Sequence, residues 1–126
     1  MHRPIHFEIH ASDPEKLVAF YTGVFGWDIQ HIPQMNYWFI RSGDGPGIDG
    51  GLMKRHGAAP TDGGAVNAYV CSIHVESVDV ALEKALAAGA TVALPKVTIP
   101  GVGYQVYIKD PDGNILGLHQ PDKSAK

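Results

Sequence analysis

One pattern, a strand followed by a helix and then by three short strands, occurs twice in this chain at a displacement of about 63 to 65 residues. A repeat of that size restricts the fold to two copies of one small unit, each with a single sheet face to place on its helix. In the first copy "PIHFEIHA" alternates strictly, with Ile5, Phe7 and Ile9 on one face and His6, Glu8 and His10 on the other. "SDPEKLVAFYTGVFGW" follows. Ser12 or Asp13 can cap a helix, Pro14 suits its first position, and Leu17, Phe20, Tyr21 and Val24 recur at helical spacing before a stop near Gly23 or Gly26. "WDIQHI", "YWFIRS" and "GIDGGLMKR" then supply three aromatic and branched segments separated by Pro, Asn and Gly.

Residues 55–66, "RHGAAPTDGGAV", form a turn-rich connector. The pattern returns with "AYVCSIHVES", which places Tyr69, Cys71, Ile73 and Val75 on one face and Val70, Ser72 and His74 on the other. Ser77 can cap a second helix with the stripe Val78, Leu82, Ala85 and Leu86, ending at Gly89. Weaker strand segments are expected around Val92, over 97–99 and over 104–108, before the closing "ILGLHQ". The expectation is a single α+β domain over 1–126. It consists of two βαβββ modules, the first about 1–55 and the second about 67–122, curling into a concave sheet groove.

Composition narrows the partners. A hydrophobic content of 44% is that of a globular chain, and ten Lys plus Arg against thirteen Asp plus Glu give a formal charge of −3. That sign and size exclude a nucleic-acid footprint and leave a small organic ligand as the expected partner. Cys71 stands alone, which excludes an internal disulfide, and on the helix-facing side it is expected to be a buried, inert thiol. The N-terminus lacks an apolar signal region, and no run approaches the ~18 apolar residues of a membrane span. A cytoplasmic protein with no membrane partner is expected.

The same alternation that turns apolar side chains toward the helices must turn others away from them. In "DPDGNILGLHQPD", residues 110–122, a tight turn leads into a strand with Leu116 and Leu118 on the helix side and Gly117 and His119 on the open side. The open faces therefore carry His6, Glu8, His74, Gly117 and His119 as candidate ligand-binding residues, with His6 and Glu8 as candidates for catalysis. Imidazoles and a carboxylate offer both donors and acceptors near neutral pH, and Gly117 leaves room between them. A purely structural His6–Glu8 pair is the plainer alternative. Trp38, Phe39, Tyr104 and Tyr107 are either stacking residues or core, and Gly50-Gly51 marks a bulge or a close backbone approach.

Paired βαβββ modules, "FYTGVFGW" at the end of the first helix and "KDPDGNILGL" near the end of the chain together resemble the glyoxalase/bleomycin-resistance/extradiol-dioxygenase superfamily, the vicinal oxygen chelate proteins. "HFEI", "GIDGGLMKR", "IPGVGY" and "GNILGLHQ" resemble its small glyoxalase-like subgroup. The resemblance implies one divalent ion held by His or Glu from the first and fourth strands of one module and the equivalent strands of the other. Carried over by position, His6 matches the first ligand. The fourth-strand carboxylate falls within Gly50-Gly51-Leu52-Met53, the fifth-strand histidine on Val70, and the last-strand glutamate on Gly117.

One matched ligand of four does not hold a divalent ion, so no cofactor and no glutathione-dependent glyoxalase activity are expected. The function this implies is metal-independent binding of a small molecule. The alternative is a lyase, isomerase or dioxygenase with one divalent metal ion on a nonstandard set, His6, Glu8, His74 and His119. A partner domain with an emptied groove is a third class. A homodimer is expected, because superfamily members commonly pair modules and because short sheets leave edges to protect.

Overall fold

The structure, a computed structural model, describes residues 2–126. Its elements are β1 (His6–Ala11), α1 (Pro14–Phe25), β2 (Asp28–Ile32), β3 (Tyr37–Arg41), β4 (Asp49–Lys54), β5 (Ser72–His74), α2 (Val78–Ala87), β6 (Thr91–Ile99), β7 (Gly103–Lys109) and β8 (Ile115–Pro121), with one 3-10 turn at Pro33–Met35. The chain divides into two compact units, the first ending at Ala59 and the second beginning at Pro60, and each is βαβββ. The first sheet has the order β1-β4-β3-β2 and the second β5-β8-β7-β6. In both, the unit's first and last strands pair in parallel and the other neighbours are antiparallel.

The helices form where caps and apolar spacing agree. Asp13 caps α1 by accepting from the Lys16 amide at 3.4 Å, and Gly26, at φ 71°, ends it in the left-handed conformation that glycine adopts without steric cost. Ser77 caps α2 through the Val80 amide at 3.2 Å. Leu17, Phe20, Tyr21 and Val24 bury on the sheet face that carries Trp38, Ile40 and Leu52. In the second unit Val78 and Ala85 are buried with Val106, Ile108, Leu116 and Leu118. Trp38 is therefore core, its indole N–H donating to Glu15 at 3.2 Å. Among the described residues no helix is long and apolar enough to cross a membrane.

Local expectations fail at four places, one of them Leu86, expected in the buried stripe of α2 but 42% exposed. Ile5 lies ahead of β1 and is 83% exposed rather than packed on the helix. β5 spans only three residues, so Tyr69 and Cys71 are exposed, against the expectation of a buried thiol. The parallel ladder with β8 runs only from Ser72 to His74, although the Gly117 amide still donates to the Cys71 carbonyl at 2.9 Å. Finally, the two segments expected around Val92 and 97–99 are one nine-residue strand, β6, whose register shifts on either side of Leu94, next to Pro95.

Candidate ligand-binding faces

In the first unit the register fixes which side chains share the face away from α1. Glu8 stands opposite Gly51, which stands opposite Phe39, and His10 stands opposite Met53, which stands opposite Tyr37. Tyr37 is thus diagonal to Gly51. Its ring lies across that glycine so closely that a Cβ there would overlap the phenol. This position brings the Tyr37 hydroxyl to 3.3 Å from Glu8 Oε2 and 2.9 Å from His6 Nε2, while His10 Nε2 lies 2.9 Å from Glu8 Oε1.

The phenol has one proton, and a charged carboxylate is the stronger acceptor for it. Tyr37 donates to Glu8, and His6 accordingly donates its Nε2–H to the phenol oxygen. His10 donates to the other carboxylate oxygen. Three side chains so direct their hydrogen bonds toward Glu8. Burial, then the Glu8 charge, then the hydrogen bond to Glu8 hold the Tyr37 pKa above its ordinary value, so the phenol stays neutral as a donor. Arg41, a cation on this face, is paired with Asp44 at 2.6 Å, and that hydrogen bond and charge raise its pKa.

The second unit repeats the arrangement with different chemistry. Ser72 stands opposite Gly117, which stands opposite Tyr107, and His74 stands opposite His119, which stands opposite Gln105. Gln105, only 6% exposed, occupies the place of Tyr37. Its amide nitrogen donates to Ser72 Oγ at 2.8 Å and its carbonyl lies 2.8 Å from His119 Nδ1. That carbonyl can only accept, so Nδ1 carries a proton and the lone pair of the neutral ring sits on Nε2. A Cβ on Gly117 would overlap the Gln105 amide and the Ser72 hydroxyl.

Of the residues expected from the sequence, His6 and Glu8 are brought together through Tyr37, and His119 sits beside Gly117 within the Ser72–Gln105 chain. His74 is exposed and adjacent to His119 in register. Tyr37, Ser72 and Gln105 join the site without having been singled out for it, the last two because their reach across a glycine depends on register. The implied metal site does not fit these residues. The room for its carboxylates at Gly51 and Gly117 is filled by Tyr37 and by Gln105 with Ser72, and Val70 cannot coordinate. Within neither unit, among the described residues, do three His, Cys, Asp or Glu side chains come together to hold a metal ion.

No curated protein sequence matches the chain significantly. Solved structures do match in fold. Hypothetical protein SA1046 from S. aureus superposes with a TM-score of 0.70 at 22% identity, covering 95% of each chain. A glyoxalase-related enzyme from Fulvimarina pelagi gives 0.72 at 19% identity, over 100% of this chain and 98% of that one. A mutant of the fosfomycin resistance protein FosX from Listeria monocytogenes, complexed with Mn(II) and dihydroxypropylphosphonic acid, gives 0.72 at 21% identity, over 97% and 92%. These likenesses establish the fold alone. The family model agrees with the motifs, the repeat and the topology: it matches residues 3–118, and the chain belongs to the Glyoxalase/Bleomycin resistance protein/Dioxygenase superfamily.

Proposed function

We propose that this chain is a metal-independent small-molecule-binding member of its superfamily, with ligand contacts on the open face around His6, Glu8 and Tyr37 and on the open face around Ser72, Gln105 and His119. The observation that carries this reading is the Tyr37 phenol lying over Gly51, in the room a ligating carboxylate would need. Where metal enzymes of the superfamily supply a Lewis acid, this face supplies a neutral phenol and a carboxylate already joined by a hydrogen bond. Such a pair can orient a polar group or pass a proton through the phenol to Glu8. Gln105 and Ser72 fix the tautomer of His119 and so present Nε2 as an acceptor. Metal analysis of freshly purified protein tests the reading, and a content well below one ion per chain is expected.

A second reading rests on one observation. His74 and His119 are neighbours in the parallel β5–β8 ladder, with the His119 Nε2 lone pair available, so two imidazoles share one face. If about one Zn, Ni, Fe or Mn per chain were found, a metal-dependent lyase, isomerase or dioxygenase, with His74 and His119 the first ligands to test, would become the better reading.

A further inference from the structure

On the proposed reading of the first face, the direction of its hydrogen bonds also selects a ligand class: we infer that the face takes an organic ammonium, a hydrogen-bond-donating cation on an apolar body. His6 spends its Nε2–H on Tyr37, Tyr37 spends its O–H on Glu8, and His10 spends its Nε2–H on Glu8. What these groups retain toward a ligand is acceptor capacity: the remaining lone pairs of the Glu8 carboxylate, the second lone pair of the Tyr37 oxygen, and Nδ1 of His6. A ligand arriving here must bring the protons.

Charge points the same way. Arg41 is placed on this face by the register, and it is engaged by Asp44. Lys54 points elsewhere, donating to the Ser12 carbonyl at 2.8 Å. Arg55, which follows β4, donates to the His10 carbonyl at 2.9 Å, so a phosphonate or carboxylate ligand would meet the Glu8 charge where both arginines are already engaged.

The apolar part of the ligand has a place as well. Phe39 is 43% exposed and sits on the same face, one strand beyond Gly51 from Glu8, about 9 to 10 Å away at the usual strand spacing. Its ring and that of Tyr37 are two residues apart on β3, with Met53 and Ile32 flanking Tyr37 in the neighbouring strands. An ammonium bonded to Glu8 lies within reach of aromatic faces, which attract cations, and its carbon body lies over Phe39 and Met53.

Three probes that share a phenyl body separate the possibilities: 2-phenylethylammonium, neutral 2-phenylethanol and 3-phenylpropionate. Each is titrated into the full chain to about 10 mM, enough to approach saturation of a millimolar site, while backbone amide resonances are followed by NMR. The ammonium is expected to shift His6, Glu8, Tyr37 and Phe39, with at least tenfold tighter binding than the anion. Glu8→Gln, which keeps the side chain's size, is expected to weaken it at least tenfold, and Phe39→Ala several-fold. If the anion titrates the same residues equally well, or Glu8→Gln leaves ammonium binding unchanged, the charge assignment fails while the binding face stands. If none of the probes shifts these residues, the face itself is wrong and the assignment falls with it.

Discussion

Tyr37 shows how much a single side chain decides on the first face. Of the three causes that raise its pKa, Glu8→Gln removes the charge and the carboxylate hydrogen bond and leaves burial. The Tyr37 pKa is expected to fall toward its ordinary value without reaching it, as read by titration of ¹³C-labelled tyrosine. An unchanged value would show that the phenol is not bonded to Glu8. Stability should follow. The folded phenol keeps its proton to higher pH than the unfolded chain, which ionises near 10.0. Its contribution is therefore whole below that pH and is lost as pH rises through the folded-state value. Unfolding midpoints are expected to decline above about pH 10, and less steeply in the Glu8→Gln variant. Gly51→Ala should act on the same contact from the other side, displacing the phenol at a cost of about 1 kcal/mol, because the atom it meets is the movable end of a side chain. A ring still resting on residue 51 in that variant would count against the geometry. His6, Glu8, Gly117 and His119 were legible as open-face residues because alternation needs nothing beyond the strand itself. The role of Tyr37 was not, because its contact is diagonal and depends on the register between strands.

At the scale of elements, local chemistry was legible wherever it was self-contained. The caps at Asp13 and Ser77 and the stop at Gly26 each involve a few neighbouring residues, and both helices lie where those signals put them. β5 was overextended because alternation along one strand does not show where pairing with another stops, and the ladder with β8 covers only Gly117 to His119. What bounds β8 is the turn 110–114. There the Asp110 carboxylate, 3% exposed, accepts from the amides of Asp112 at 2.8 Å and Asn114 at 3.0 Å and from Asn114 Nδ2 at 2.9 Å. The turn sets the β7–β8 register and thereby puts Gln105 beside His119. Asp110→Ala orphans these donors and is expected to lower stability by about 2 to 3 kcal/mol in a denaturant melt. A loss below about 0.5 kcal/mol would mean that the backbone bonds of the turn suffice without the carboxylate.

Over the whole molecule the repeat extends past topology to the open faces. Gly51 and Gly117 hold equivalent positions, as do Tyr37 and Gln105, Glu8 and Ser72, Phe39 and Tyr107, and His10 and His74. In each unit a side chain from the neighbouring antiparallel strand covers the glycine and bonds to the unit's first strand. Edges remain as well: β6 ends its sheet with Leu94 and Val97 at 57% and 53% exposure. A dimer of twice 13.5 kDa is expected in light scattering, and the mass of one chain at micromolar concentration would count against it. The duplicated filling puts the same metal question to each unit by itself. Gly51→Glu or Gly117→Glu alone is expected to create no divalent-metal site, because the new carboxylate meets Tyr37 in one unit and Gln105 with Ser72 in the other. Gly51→Glu combined with Tyr37→Ala clears one of these positions and is expected to raise affinity for Zn or Ni above that of either single variant, measured by titration calorimetry. Equal affinity in Gly51→Glu with Tyr37 retained would show that the phenol yields readily, and that its occupancy of this position is not what keeps the native chain from holding a metal.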